Sequence, residues 1–348
     1  MAEKVLMIGQ FPPPVTGEGK MNLQVQGMLQ QAGFEVSILN SCIVDSVNDV
    51  GQVNIVKLLR MFKLLWQGLW LQMGVGILYM TPGQTLMGLL RFLPLLLAAR
   101  LSRKKIILHW HGYGVLSACL KYPRLARCYL SPAVLNIVLT EDLRLKLLQL
   151  GFAVERVKVL GNFSELPAAM PVPWADSQKL KVVFLGGLMP EKGVDTFLQL
   201  AAKTQQFEFV LCGAGNESIT ASAKALAQQG LLTFPGLIDG EAKQQLLKDA
   251  DIFVLQTHHP TEGVPLTILE AMSCGCAIVT TRHNGIPETV GDAALFIEAK
   301  SVDSLLAGLQ LLDADRNQLR LLQHKAFERS QNFSAASFRE ELVRLFRI

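Results

Sequence analysis

The stretch at residues 257–292 constrains the fold more than any other part of the chain. An apolar run at residues 251–256 precedes it and predicts a buried strand of a parallel sheet. Turn-forming residues follow, and apolar residues at helical spacing then predict a helix over residues 266–274. Pro265 would be its first helical residue, a position that needs no N–H group. The segment is therefore predicted to be a strand, a loop and the amino end of a helix.

The predicted helix terminus has the chemistry of an anion site between two carboxylates. The backbone amides of Val264, Leu266 and Thr267 would point outward with the positive end of the helix dipole, which favours a phosphate. Glu262 in the loop and Glu270 in the helix lie on either side. Carboxylates accept hydrogen bonds from vicinal hydroxyls, so a sugar and a ribose would suit them. A phosphate between two hydroxylated rings describes a nucleotide sugar.

The motif E-G-x-P-x-x-x-x-E-A-M, followed by G-I-P-E, resembles that of the retaining glycosyltransferases of family 4. Glu262 and Glu270 match the paired glutamates of that family, with Gly263 and Pro265 between them. The resemblance implies an α/β fold of the GT-B type, in which two Rossmann-like domains with parallel sheets face each other. It also implies a C-terminal helix that crosses back to the N-terminal domain. The structural alternative is a buried helix with two solvated glutamates.

A chain of 348 residues is long enough for two domains of ordinary size. We expect an N-terminal acceptor-side domain over residues 1–165 and a nucleotide-sugar-binding domain over residues 166–330. The C-terminal helix, within residues 331–348, would pack on the first domain. Three prolines mark the predicted linker, namely Pro167, Pro171 and Pro173.

Two further segments resemble the donor site of the family. Within G-G-L-M-P-E-K-G, Lys192 matches the family lysine and would face the pyrophosphate as a point charge. Gly187 takes the place of the family arginine, so one of two cations for the leaving diphosphate is missing. Arg282 is one candidate to replace it. Leu237 closes the segment at residues 232–237, whose backbone would meet the nucleotide base.

The first loop of the chain, FPPPVTGEG, follows a strand predicted at residues 4–9 and precedes a helix predicted from about Lys20. Gly17 and Gly19 would let the backbone approach a ligand closely. The loop resembles the glycine-rich first loop of the family, which borders the donor pyrophosphate and the acceptor. Because the spacing is not G-x-G-x-x-G, a dinucleotide fingerprint is weak, and an ordinary strand-to-helix loop is the alternative.

His111 follows a strand predicted at residues 105–109, at the edge where ligands bind in open α/β sheets. The resemblance gives it a role near the reacting end of the donor sugar, although a lone histidine is more often structural. We expect His109 to point to the opposite face of the strand and to be structural.

Charge is segregated along the chain, because residues 50–140 contain no Asp or Glu. One predicted helix there carries the basic residues Lys57, Arg60 and Lys63 with Phe62, Trp66 and Trp70. Basic, aromatic and aliphatic residues together suit an anionic membrane surface, so we expect a peripheral membrane contact. The helices themselves are predicted to be buried on the sheet. No nucleic-acid recognition motif is present. The stretch contains these basic residues: Lys57, Arg60, Lys63, Arg91, Arg100, Arg103, Lys104, Lys105, Lys121, Arg124 and Arg127.

Several classes of protein are disfavoured by what the sequence does not contain. No run of about 20 apolar residues lacks a charge, which argues against a transmembrane span. The opening MAEKVLMIG predicts a strand and not a signal peptide. The six cysteines are scattered, so reduced thiols in a cytoplasmic protein are expected, at the cytoplasmic face of the inner membrane.

Two D-x-D sequences resemble metal motifs, Asp249-Ala-Asp251 and Asp313-Ala-Asp315. We expect all four carboxylates to be solvated helix charges, and we expect neither a metal nor a cofactor.

The predicted function is retaining transfer of a sugar from a nucleotide-diphosphate donor, with a UDP-sugar favoured, to a glycan or lipid-linked acceptor. His111, Lys192 and Glu262 are the predicted catalytic residues. One alternative is a catalytically weak protein of the same fold that binds a glycan or nucleotide sugar in a membrane-associated assembly. Another is a nucleotide-sugar epimerase. A phosphorylase would need a lysine for pyridoxal phosphate and a far longer chain.

Overall fold

The computed structural model describes residues 2–13, 16–42, 55–131, 133–168 and 179–348. The chain divides into two compact units. The first comprises Met1–Asn162 and Phe338–Ile348, and the second comprises Phe163–Ser337. Of the predicted linker prolines, Pro171 and Pro173 lie outside the described residues.

The first unit contains a parallel sheet of six strands in the order β2-β1-β3-β4-β5-β6. Apolar residues on both faces of the central strands are buried, because helices cover both sides of a parallel sheet. The strands are β1 (Lys4–Gly9), β2 (Glu35–Asn40), β3 (Ile77–Met80), β4 (Lys105–Trp110), β5 (Leu135–Val138) and β6 (Val157–Val159). The helices that connect them are α1 (Gly17–Gln31), α2 (Ile55–Gln72), α3 (Leu86–Leu101), α4 (Gly114–Lys121), α5 (Pro123–Tyr129) and α6 (Glu141–Gln149).

The second unit repeats this plan with a six-stranded parallel sheet in the order β12-β11-β10-β7-β8-β9. Its strands are β7 (Lys181–Leu185), β8 (Glu208–Cys212), β9 (Thr233–Gly236), β10 (Ile252–Leu255), β11 (Ala277–Thr280) and β12 (Ala294–Phe296). Its helices are α7 (Val194–Lys203), α8 (Glu217–Gln228), α9 (Gly240–Lys248), α10 (Leu266–Ser273), α11 (Ile286–Val290), α12 (Val302–Ala314) and α13 (Arg316–Ser330).

The last helix, α14 (Ala335–Arg347), returns to the first unit from Phe338 onward. The Phe346 ring packs 5.6 Å from Phe34 and 5.7 Å from Tyr79, measured between ring centroids. Lys105 Nζ donates to the Phe346 carbonyl at 2.5 Å. The predicted crossing of this helix is therefore confirmed, and an apolar cluster holds its end.

The amino ends of two helices, α6 and α1, show how well capping residues predicted where a helix begins. Thr140 accepts from the Leu143 amide at 3.2 Å and caps α6, as the sequence predicted. The prediction for α1 was wrong, since the helix begins at Gly17 and not near Lys20. Thr16 caps it by accepting from the Gly19 amide at 3.0 Å. Gly17 and Gly19 are therefore first-turn residues of α1 and not loop residues.

No helix in the described part of the chain is both long enough and apolar enough to cross a membrane. The prediction that the helices between residues 50 and 140 are buried on the sheet holds for one face of α2, which packs near Leu39 of β2, but not for its outer face. Trp66 on that helix is 75% exposed.

Candidate functional site

The two strands at the centre of the second sheet, β7 and β10, form a topological switch point. The chain runs from β7 to β8 and β9 on one side and then crosses to β10 on the other side. Parallel pairing of Ile252 with Val182 brings the carboxyl ends of both strands to the same edge. Ligands of open α/β sheets bind at such an edge, so the loops after β7 and β10 are the candidate site.

The loop after β7 ends in a short 3-10 turn, Pro190–Lys192, and a left-handed glycine. Gly193 has φ +84°, and a Cβ at this position would come within 2.6 Å of the Gln256 carbonyl oxygen. A glycine is therefore required where this loop touches the end of β10. That close approach places Lys192 beside the loop after β10.

Lys192 and Glu262 form an ion pair across the switch point, with Nζ 3.3 Å from Oε2. The Thr257 hydroxyl lies 3.2 Å from the same Oε2 and 3.2 Å from the Glu191 carbonyl. The Glu262 side chain is 10% exposed and that of Lys192 is 24% exposed. The cation and the carboxylate that the sequence assigned to the donor are thus brought together by two loops.

Side chains after β11 brace the loop that carries Glu262. Asn284 Nδ2 donates to the Glu262 carbonyl at 3.1 Å and to the Pro260 carbonyl at 3.2 Å. His283 Nε2 lies 2.7 Å from the His259 carbonyl. The sequence analysis did not identify either residue. Their position immediately before the G-I-P-E motif was the signal that could have indicated them.

Helix α10 begins at Leu266, so the prediction that Pro265 is its first helical residue was wrong. Pro265 is the N-cap, with φ −63° and an extended ψ of 122°. Its carbonyl accepts from the Ile268 amide at 3.1 Å. The Leu266 and Thr267 amides precede this first intrahelical bond, which leaves them oriented as helix-terminal donors. No side chain among the described residues caps the helix.

Glu270 is not a free carboxylate, because Oε1 accepts from Lys243 Nζ at 2.6 Å. Lys243 comes from α9 and also lies 3.4 Å from Asp239. Burial lowers the pKa of the Lys243 ammonium, but the charge and hydrogen bonds of Glu270 and Asp239 outweigh burial and raise that pKa above its ordinary value. Sequence reasoning missed Lys243, since nothing local links α9 to α10.

Two predicted donor residues lie in open positions at the same edge. Leu237 follows β9 and is 71% exposed. Gly187 follows β7 and is exposed, and a Cβ there would meet only Met189 Sδ, at 3.8 Å. A larger side chain would therefore fit at position 187.

Arg282 packs on the β12 side of the second sheet. Its guanidinium carbon is 4.0 Å from the centroid of the Phe296 ring on β12. It lines a pocket of about 500 Å³ with Thr257, His258 and Glu298 among others. Gly187 follows β7, two strands away from β11 in the sheet order. The suggestion that Arg282 replaces the missing arginine is therefore not supported by its position.

In the first unit, the expectation that His109 and His111 point to opposite faces was wrong. Their ring centroids are 4.3 Å apart, because residues two apart on a strand project to the same side. Tyr79 Oη lies 2.8 Å from His109 Nδ1. Burial lowers the pKa of His111 to about 4, and burial with the neighbouring His111 lowers that of His109 well below its ordinary value. Both rings are therefore neutral at pH 7.

The first unit has its own switch point between β1 and β3, close to the first turn of α1. The buried Asn22 donates to Thr81 Oγ1 at 3.0 Å across this point. Burial raises the pKa of the nearby Glu18 carboxyl to about 7, against the opposing effects of a Thr81 hydrogen bond and the Arg91 charge. Glu18 carried no recognisable signal in the sequence.

No cluster of three or more potential metal ligands occurs among the described residues. The interpretation of both D-x-D sequences as solvated charges was wrong for Asp251, which is buried and accepts from the Lys181 amide at 2.7 Å. Asp315 caps α13, and Asp313 pairs with Arg316 at 2.5 Å. Asp313, Asp315 and Asp251 therefore have structural roles as an ion-pair partner, a helix cap and a buried acceptor, respectively.

Residues 170–329 match the family model described as Glycosyl transferases group 1. This segment is similar to a group 1 glycosyl transferase domain. The matched segment contains Lys192, Glu262 and Glu270, so both loops at the switch point lie within it. Whether the domain falls within family 4 of the sequence classification stays a prediction.

Two relatives and one solved structure illustrate the similarity of the group 1 domain and of the whole chain. The undecaprenol-linked N,N'-diacetylbacillosaminyl α-1,3-N-acetylgalactosaminyltransferase of Campylobacter jejuni is 30% identical over 143 residues, 40% of this chain and 37% of that one. The O-antigen chain mannosyltransferase B of Escherichia coli is 24% identical over 174 residues, 48% of this chain and 45% of that one. The chain spans about half the length of the first relatives it matches.

The crystal structure of Anabaena Alr3699/HepE in complex with UDP and glucose covers 99% of both chains, with a TM-score of 0.70 and 17% identity. At that identity the likeness concerns the fold, which extends beyond the group 1 domain to the whole chain. The predicted GT-B fold is thereby confirmed.

Proposed function

We propose that the chain transfers a sugar from a nucleoside-diphosphate donor to a glycan or lipid-linked acceptor, with retention at the anomeric carbon and without a metal. The observation that carries the proposal is the Lys192–Glu262 pair at the switch point, 3.3 Å apart and beside the amino end of α10. A cation and helix amides suit a diphosphate, and a carboxylate suits sugar hydroxyls.

A UDP-sugar is the proposed donor. The Anabaena protein of the same fold was crystallised with UDP and with UDP-glucose. The proposed acceptor follows from the relatives' names, which include an undecaprenol-linked glycan and an O-antigen chain. We also propose a peripheral position at the cytoplasmic face of the inner membrane and no role in binding nucleic acid.

The chemistry that we propose separates charge as the glycosidic C–O bond breaks. The departing diphosphate gains negative charge. Lys192 would stabilise this charge as a fixed cation, and the amides of Leu266 and Thr267 would stabilise it as fixed dipoles. The acceptor hydroxyl would attack from the leaving-group face and pass its proton to the diphosphate, as the family resemblance implies. The neutral His111 would offer a hydrogen bond to the sugar without adding charge.

A second candidate, a weakly catalytic binding protein of the same fold, is favoured by Gly187 alone. A Cβ there would meet only Met189 Sδ at 3.8 Å, so the position of the family arginine is open. The diphosphate would then have one protein cation fewer.

Release of UDP separates the candidates. UDP-, GDP-, ADP- and dTDP-sugars are first compared by thermal shift, since a ligand that binds the folded state raises Tm. The UDP-sugar that stabilises most is then incubated with and without a lipid-linked glycan fraction. Acceptor-dependent release of UDP with a retained anomer supports the proposal. Binding without any release supports the second candidate, and the absence of a shift with every donor contradicts both.

A further inference from the structure

Helix α2 of the first unit displays an apolar stripe to solvent. Trp66 is 75% exposed, Trp70 is 64% exposed and Met73, just after the helix, is 74% exposed. At 100° per residue, the exposed apolar side chains fall within about 100° of arc. These residues form the α2 stripe: Leu59, Phe62, Trp66, Leu69, Trp70 and Met73.

The opposite face of α2 is fixed against the body of the first unit. A Cβ at Gly68 would come within 2.8 Å of Leu95 and 2.9 Å of Leu39, so the helix approaches α3 and β2 closely there. Gln72 Nε2 donates to the Leu95 carbonyl at 3.1 Å. The stripe therefore faces outward because the other face is already packed, and the helix cannot turn it inward without losing these contacts.

Large apolar side chains that line up on the exposed side of a helix are ordinarily covered by a partner. Exposed apolar side chains also occur on the neighbouring α3, namely Met87, Leu90, Leu97 and Leu101. Groups of exposed apolar side chains on adjacent helices are typical of an interaction site.

The charges beside the stripe select its partner. Arg60 and Lys63 are exposed on the same helix and lie along one edge of the stripe. No acidic residue occurs between positions 50 and 140. A second copy of the chain would bring the same cations to this surface, whereas anionic lipid head groups complement them. Tryptophan also prefers the boundary between head groups and acyl chains.

We infer that α2 lies in the plane of an anionic bilayer, with Phe62, Trp66 and Trp70 inserted below the head groups. Arg60 and Lys63 contact lipid phosphates. This inference rests on the proposed membrane contact and names the element that makes it.

Two other basic residues of the acid-free stretch, Lys104 and Lys105, are less suited to a test of the membrane contact. Lys104 Nζ donates to the Val75 carbonyl at 2.7 Å, and Lys105 Nζ donates to the Phe346 carbonyl at 2.5 Å. These two ammonium groups stabilise the first unit, so reversing their charge would damage its packing. Arg60 and Lys63 are exposed on α2, which makes them the better probes.

The experiment uses the full chain with vesicles of phosphatidylcholine alone or mixed with phosphatidylglycerol. We expect co-sedimentation only with phosphatidylglycerol at low salt, and quenching of tryptophan fluorescence when the acyl chains are brominated. Trp66→Gln with Trp70→Gln should lower partitioning by at least about tenfold, since two large interfacial side chains are lost. Arg60→Glu with Lys63→Glu should also release the protein.

Leu311→Gln with Leu321→Gln is the matched control, because both leucines are exposed on helices of the second unit. It should partition like the wild type. Unchanged partitioning of the Trp66 and Trp70 variant, or failure of the wild type to be quenched, would overturn the inference. So would a wild-type dimer that the tryptophan variant dissociates without any vesicle binding. If that variant does not fold, quenching of the wild type decides.

A thermal shift with UDP-sugar on the same samples separates this inference from the proposed function. A shift without vesicle binding contradicts the role of α2 and leaves the proposed transfer intact. Vesicle binding without a shift for any donor supports the role of α2 and contradicts the proposed transfer.

Discussion

Lys243 Nζ lies 2.6 Å from Oε1 of Glu270, and both side chains are nearly buried. The carboxylate that was assigned to a ribose is therefore also half of a structural ion pair between α9 and α10. Removal of either partner leaves the other charge in a poorly solvated place, so stability and ligand affinity must be measured separately.

We predict that Glu270→Ala lowers the free energy of unfolding by about 3 kcal/mol, because Lys243 loses its main partner. It should also weaken UDP binding by about 1.5–3 kcal/mol through loss of a charged acceptor. Urea denaturation and titration calorimetry measure the two effects. Lys243→Met is the control, since it breaks the pair but keeps the carboxylate. If both variants weaken UDP binding equally, the direct ribose role is wrong.

We predict that Glu262→Gln reduces turnover by about 100-fold, the range seen when one transition-state contact is removed. UDP affinity should stay within about twofold, because the carboxylate acts on the sugar. Lys192→Met should instead weaken UDP binding. Calorimetry with UDP and a UDP-release assay distinguish the two residues, and Thr257→Val tests the 3.2 Å hydroxyl contact to Glu262. Loss of UDP binding in Glu262→Gln would contradict this division of roles.

We predict that Gly187→Arg folds normally, since a Cβ at this position meets only Met189 Sδ at 3.8 Å. A guanidinium there would add a charge-assisted bond to the diphosphate, and UDP affinity should rise about tenfold or more. Gly187→Gln, which is similar in size but neutral, should have little effect. Equal affinities for the wild type and the arginine variant would show that position 187 does not face the diphosphate.

We predict that His111 makes a contribution to the stability of the first unit that is lost as pH falls. The pKa of His111 is about 4 in the folded protein against an ordinary 6.5, so the unfolded state binds more protons between these values. This contribution is full above pH 6.5 and falls by about 3 kcal/mol as pH approaches 4. Urea midpoints at pH 7 and pH 4.5 measure it. His111→Gln should remove this part of the pH dependence, whereas the exposed His324→Gln should leave the dependence as in the wild type.

We predict that turnover is insensitive to EDTA, because Lys192 and the amino end of α10 would stabilise the diphosphate. UDP release is measured before and after chelation and again with added magnesium or manganese. Abolition by EDTA and recovery with either ion would show that the assignment of the diphosphate site is wrong.

Local sequence predicted a structural feature correctly wherever that feature depends on a single strand, turn or helix end. The strand β10, the helix α10, the cap at Thr140 and the lysine before Gly193 were all readable from short patterns. These features depend on hydrophobic period, on turn residues and on capping chemistry, all of which act over a few residues. The resemblance extended them to a two-domain fold.

Other features are decided only when distant segments meet. Lys243 and Glu270 are separated by 27 residues, and His283 and Asn284 act on a loop more than 20 residues earlier. Burial of Asp251 and exposure of Trp66 likewise depend on which neighbours pack there. The sequence by itself determined the elements and the chemistry at their ends, because those are local. Tertiary structure alone decided which charges pair and which apolar face stays uncovered, because pairing and burial are set by long-range packing.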